Sequence, residues 1–92
     1  MELHERLKLV MDEPTFLEFV SALANERRAA EAGIVDDFGR SRNGWENHSI
    51  EEFLDAGVAW ADASNFGAKQ GFANASPWKK FATFLYCGKI YE

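Results

Sequence analysis

Side chains able to do chemistry are few in this chain and poorly spaced for it. The single thiol, Cys87, falls near the end of a helical pattern. The helix dipole there disfavours a thiolate, so a packed, inert cysteine is expected. His4 and His48 are the only histidines. His48 adjoins Ser49, but Ser49 is better placed as a helix cap, and no spaced Ser/His/Asp set stands out. A metal centre would call for a histidine pair at helical spacing, a second cysteine or a calcium loop with its central glycine, and none is present. Asp36-Asp37 reads as a solvated loop pair, and Gly67 and Gly71 are too isolated to cradle a phosphate. The acidic stripe Glu51, Asp55 and Asp62 shows nothing that would drive two carboxylate pKa values apart for acid–base work. Its two readings are a solvated helix face and a docking surface for a basic partner. The expectation is a protein that is not an enzyme, with no cofactor and no metal.

Composition narrows the remaining classes. At 92 residues the chain has the length of one domain, residues 1–92, with a single core. It is 47% hydrophobic, which marks a globular chain, and its eight Phe, three Trp and two Tyr bury large areas in a short sequence. A net charge of −5 argues against nucleic acid, whose phosphates require a clustered basic face. One cysteine excludes an intrachain disulfide and suits a reducing compartment. No apolar run approaches the ~18 residues of a membrane span and no signal-peptide pattern opens the chain, so no membrane partner and a cytoplasmic location are expected.

Hydrophobic periodicity supplies the elements that must position these residues. Leu3, Leu7, Val10 and Met11 predict a short first helix. Asp12 can cap a second, with Pro14 in its first turn; Phe16, Leu17, Phe19, Val20, Leu23 and Ala24 line one side, and the helix should run to about Ala30 with Gly33 as a stop. Ser49-Ile50-Glu51-Glu52 has the capping-box form and opens a third helix. Ile50, Phe53, Leu54, Gly57, Trp60 and Ala61 make its apolar arc, and Gly57 is expected to mark a close helix–helix approach. Ser76-Pro77 starts the last helix, whose buried side draws on Trp78, Phe81, Ala82, Leu85 and either Phe84 or Tyr86, with Gly88 ending or loosening it. Lys79 and Lys80 sit against the dipole in its first turn; a carboxylate from the acidic helix would compensate, and simple surface placement is the equal alternative. The loops 33–48 and 63–75 lack strand alternation. The fold class is all-α: three main helices plus a short N-terminal one.

One combination of residues is familiar. Trp45-Glu46-Asn47, Ile50 with Phe53-Leu54 and Trp60, Pro77-Trp78 with Phe81-Ala82 and Leu85, and Ile90-Tyr91-Glu92 together resemble a family of small acidic bacterial proteins catalogued as a domain of unknown function. Phe16-Leu17-Glu18-Phe19-Val20 with Leu23-Ala24 is similar to that family's first long helix. The similarity covers most of the chain and departs from the family pattern between Asn65 and Ala75, which is rich in Gly, Ala and Asn. The resemblance implies no activity, cofactor or substrate. By class analogy it points to mobile-element cargo, such as gene cassettes or immunity genes.

Two functional expectations follow. The first is a non-enzymatic interaction module, a homodimer or an immunity-like inhibitor of a partner protein, with Trp45, Glu51, Asp55, Asp62, Phe66 and Phe72 as partner-facing candidates. The second is a small-molecule binder with an aromatic pocket between helices, walled by Arg27, Trp60 and Trp78. Arg27 falls within an apolar stripe, where its stem can pack on the core while its head reaches water or a carboxylate. Trp45 stands in a polar run, too far ahead of Ile50 to staple that helix. It is either a buried anchor resting on Phe53, Trp60 or Trp78, or an exposed hot spot.

Overall fold

The computed structural model describes residues 1–32, 45–71 and 73–91. Among the described residues there is no strand; the elements are α1 (Leu3–Leu9), α2 (Glu13–Ala32), α3 (Ile50–Ser64), a 3-10 turn (Ala68–Gln70) and α4 (Pro77–Ile90). This is the all-α arrangement of three long helices and one short one that periodicity predicts. The expected stop at Gly33, the pair Asp36-Asp37 and the candidate Phe72 lie outside the described residues.

Side-chain caps set the helix starts. The Asp12 carboxylate accepts the Thr15 backbone N–H at 3.1 Å and the Thr15 hydroxyl at 2.6 Å, while Thr15 Oγ1 accepts the Met11 and Asp12 N–H groups. Ser49 Oγ accepts the Glu52 N–H at 3.1 Å. The reciprocal half of that expected box shifts by one residue, because the Glu52 carboxylate takes the N–H of His48 and not that of Ser49. Ser76 caps α4 through the Lys79 N–H, with Pro77 at the first helical position.

α4 is the axis of the fold. α3 packs on one flank, α1 and α2 on the other, and no Cα of α2 comes within 8 Å of any in α3. The body is accordingly flat, 40 × 27 × 18 Å. Phe19, Leu23 and Ala30 of α2, Ala82 of α4, Leu3 of α1, Val10 and Trp45 form the buried core.

The α3–α4 seam rests on two reciprocal Phe–Gly contacts. A Cβ placed on Gly57 would lie 2.8 Å from Phe84 Cζ, and one on Gly88 would lie 2.7 Å from the Phe53 carbonyl oxygen. Gly57 therefore marks the close approach expected of it. Gly88 does not end α4, which continues to Ile90; its missing side chain is the space Phe53 occupies. Lys79 likewise departs from expectation. Its ammonium finds no carboxylate of α3 but donates at 2.7 Å to the carbonyls of both Leu7 and Lys8, closing the C-terminal end of α1. Burial at this spot pulls the Lys79 pKa below the usual lysine value.

After α3 the backbone turns through three residues with positive φ, Asn65, Phe66 and Gly67. An aromatic residue in this region is strained by roughly 1–3 kcal/mol. The turn drives the Phe66 ring among Trp60, Phe84 and Phe81, with centroids 5.6, 6.0 and 6.3 Å away. Aromatic pairs of this kind each contribute about 0.5–1.5 kcal/mol, enough to offset the strain.

Candidate functional site

The segment Trp45–Asn47 answers the question of a tryptophan in a polar run. Its backbone crosses the end of α4, where the Lys89 carbonyl accepts the Glu46 and Asn47 N–H groups at 3.0 and 3.4 Å. The Asn47 amide donates to the carbonyls of Gly88 and Tyr91. A helix end leaves such carbonyls without partners of its own, and residues more than forty positions upstream supply them. The Trp45 ring is 4% exposed, stacked on Phe53 at 5.9 Å, with its indole N–H donating to Glu26 at 2.9 Å. It is a buried anchor on one of its expected partners. Burial removes it as a free hot spot.

Glu26 also holds Lys89, at 2.6 Å, in a pair whose side chains are 22% and 9% exposed. The Lys89 ammonium lies 5.8 Å from the centre of the Tyr86 ring. Sequence reasoning passed over this pair, although a signal existed. Glu26 shares the buried register of α2 with Phe19, Leu23 and Ala30, and Lys89 follows Ala82 by two turns on α4. One charge of each sign on facing apolar registers is what a buried ion pair looks like before folding.

Above this anchor a channel opens between α2 and α3. It holds about 330 Å³ and is walled by Val20, Leu23, Ala24 and Arg27 of α2, Ile50 and Phe53 of α3, Leu85 of α4, and Trp45, Asn47, His48 and Ser49. Arg27 stands at one end, its guanidinium 5.3 Å from the Trp45 ring centre and donating at 3.0 Å to the His48 carbonyl. The stem packs as expected, while the head meets a carbonyl where a carboxylate or water was expected. The other residues of the aromatic-pocket expectation do not join it. Trp60 is buried, donating to Gln70, and Trp78 packs on Phe16 at 5.5 Å. The three sit in separate places because α2 and α3 take opposite flanks of α4.

Beside the channel the apolar arc of α3 runs past its own buried face. Ile50, Leu54 and Val58, four residues apart, are 78%, 47% and 51% exposed. On α4 Phe81, one turn before Leu85, is also half exposed. The carboxylates of Glu51, Asp55 and Asp62 are exposed on the strip next to the ridge, so these three candidates do share one surface. Phe66, the remaining partner-facing candidate, is committed to the internal aromatic cluster described above.

Reactive chemistry is scant here. Burial pushes the Cys87 thiol up to about 11, which keeps it protonated at neutral pH. Among the described residues no group of three or more His, Cys, Asp or Glu is placed to hold a metal ion, and no helix is long and apolar enough to cross a membrane.

No curated protein and no solved structure matches this chain. Residues 13–92, from the first residue of α2 onward, match the family of unknown function DUF7660, and the chain belongs to that family.

Proposed function

We propose that this protein is a non-enzymatic interaction module that receives a partner protein on α3 and the adjoining channel. The observation that carries the reading is the exposed ridge Ile50–Leu54–Val58. A helix in a globular protein ordinarily turns such a stripe toward its own core. Here the stripe continues the buried face of α3 into solvent, beside an apolar channel, and contiguous apolar surface of this kind marks sites of association. The pushed-up Cys87 thiol supports a role without nucleophilic catalysis.

A photo-crosslinking residue at Leu54, compared with one at the exposed Ala59 on another side of α3, tests this in the cells that make the protein. The expected result is a discrete protein adduct from position 54 and none from 59. Absence of an adduct at 54, or equal adducts at both, would overturn the reading. The double substitution Leu54→Ser/Val58→Ser should abolish the adduct made from a photo-crosslinking residue at Ile50 while the variant stays folded, with a helical circular-dichroism spectrum and a cooperative urea transition.

A further inference from the structure

Resting on that reading, we infer that the partner segment is a basic amphipathic helix, laid along the exposed Ile50–Leu54–Val58 ridge of α3 beside the channel, with its cations against the carboxylates of Glu51, Asp55 and Asp62. A peptide that binds as an added strand needs a sheet edge, where its N–H and C=O groups find partners. The described residues include no strand, and the channel wall is made of side chains such as Val20, Ala24, Phe53 and Leu85. A helix brings its own backbone partners and needs only an apolar groove.

Dimensions agree with this. From Ile50 to Asp62 the face of α3 is about 18 Å long at 1.5 Å per residue, which matches three to four turns of a docked helix. Charge then selects the partner. Glu51, Asp55 and Asp62 all fall on one side, about a quarter of a turn from the middle of the apolar ridge, so they border it along its length. A helix with an apolar stripe flanked by Lys or Arg would set its cations beside them. A second copy of this chain, with its net charge of −5, would bring the same acidic strip against itself.

The test uses the full chain and fluorescein-labelled model peptides made of leucine and lysine, with leucines at i, i+3, i+4 and i+7. Comparison peptides replace lysine by glutamate, or scramble the leucine pattern. Anisotropy titration should show the patterned basic peptide binding at least about tenfold tighter than either comparison peptide, with affinity falling as salt rises. Leu54→Ser/Val58→Ser should weaken it by about tenfold or more, and the triple change Glu51→Lys/Asp55→Lys/Asp62→Lys should invert the preference toward the glutamate peptide. Equal binding of the scrambled peptide, or affinity unmoved by the ridge substitutions, would overturn the inference. So would sedimentation showing a dimer that Leu54→Ser/Val58→Ser converts to a monomer. The Leu54 crosslink separates the two levels: if it forms while the basic peptide shows no preference, the partner class is wrong and the interaction module stands; if it fails, both fall.

Discussion

Removing the Trp45 indole takes away a stack on Phe53, a hydrogen bond to Glu26 and the face beneath Arg27. Trp45→Ala should therefore lower unfolding stability by roughly 3–5 kcal/mol in urea denaturation, as large-to-small core changes do. The Glu26–Lys89 pair makes a sharper expectation. Lys89→Met alone strands a largely buried carboxylate and should cost about 3 kcal/mol. Adding Glu26→Gln removes that charge while keeping an oxygen for the Trp45 N–H, so the double variant should recover most of the loss in a mutant cycle. At Asp12 the Thr15 hydroxyl, then the Thr15 backbone N–H, hold the carboxyl below its usual range. A folded-state value below the unfolded one gives stability that is present above the ordinary aspartate range near ~4 and lost as pH falls through the depressed value. NMR titration should find the Asp12 pKa returning upward in Thr15→Val. Asp12 and Ser49 were legible as caps because capping is decided within four residues. Trp45 was legible as a buried anchor with Phe53 among its partners, but its hydrogen bond to Glu26 and the pairing of Lys89 with the same carboxylate were not, because each depends on a residue of a distant helix.

Between α3 and α4 the same pattern occurs twice, Phe53-Leu54-Asp55-Ala56-Gly57 and Phe84-Leu85-Tyr86-Cys87-Gly88, and each phenylalanine fills the other helix's glycine. The two glycines should respond differently to substitution. Gly57→Ala meets the far edge of the Phe84 ring, which can shift, whereas Gly88→Ala meets a backbone oxygen, which cannot. Each gains about 1 kcal/mol of helix propensity over glycine and loses about 1–3 kcal/mol to overpacking. Gly88→Ala should therefore be the more destabilising by denaturant midpoint. Phe84→Leu should relieve Gly57→Ala, while Phe53→Leu should not relieve Gly88→Ala. Gly57 was readable as a packing glycine because it interrupts an apolar arc. Gly88, close to the helix end, looked like a terminator, and only the repeated Phe-Leu-x-x-Gly pattern distinguishes it.

At the scale of the whole molecule the all-α class was legible from periodicity, but the placement of helices was not. Periodicity shows that Ile50 and Leu54 lie on one arc; it does not say that α4 is too narrow to cover that arc and α2 stands too far away. The acidic strip could be placed from spacing alone, since Glu51, Asp55 and Asp62 share a helix. Arg27, Trp60 and Trp78 belong to three different helices, and their separation is a property of the layout. That layout makes α4 indispensable. A chain ending at Ser76 should lose protease resistance throughout, α1 and α2 included, and a retained resistant fragment would contradict this.

The central position of α4 also bears on synthesis. Of the helices among the described residues it is the last to leave the ribosome, yet Lys79 holds α1 and the end of α4 holds Trp45–Asn47. Until it emerges, α2 and α3 have no common support, and the Phe53–Gly57 face of α3 meets solvent or other nascent chains. The fold is thus one that closes late, and in this interval the chain is most open to aggregation and to capture by chaperones.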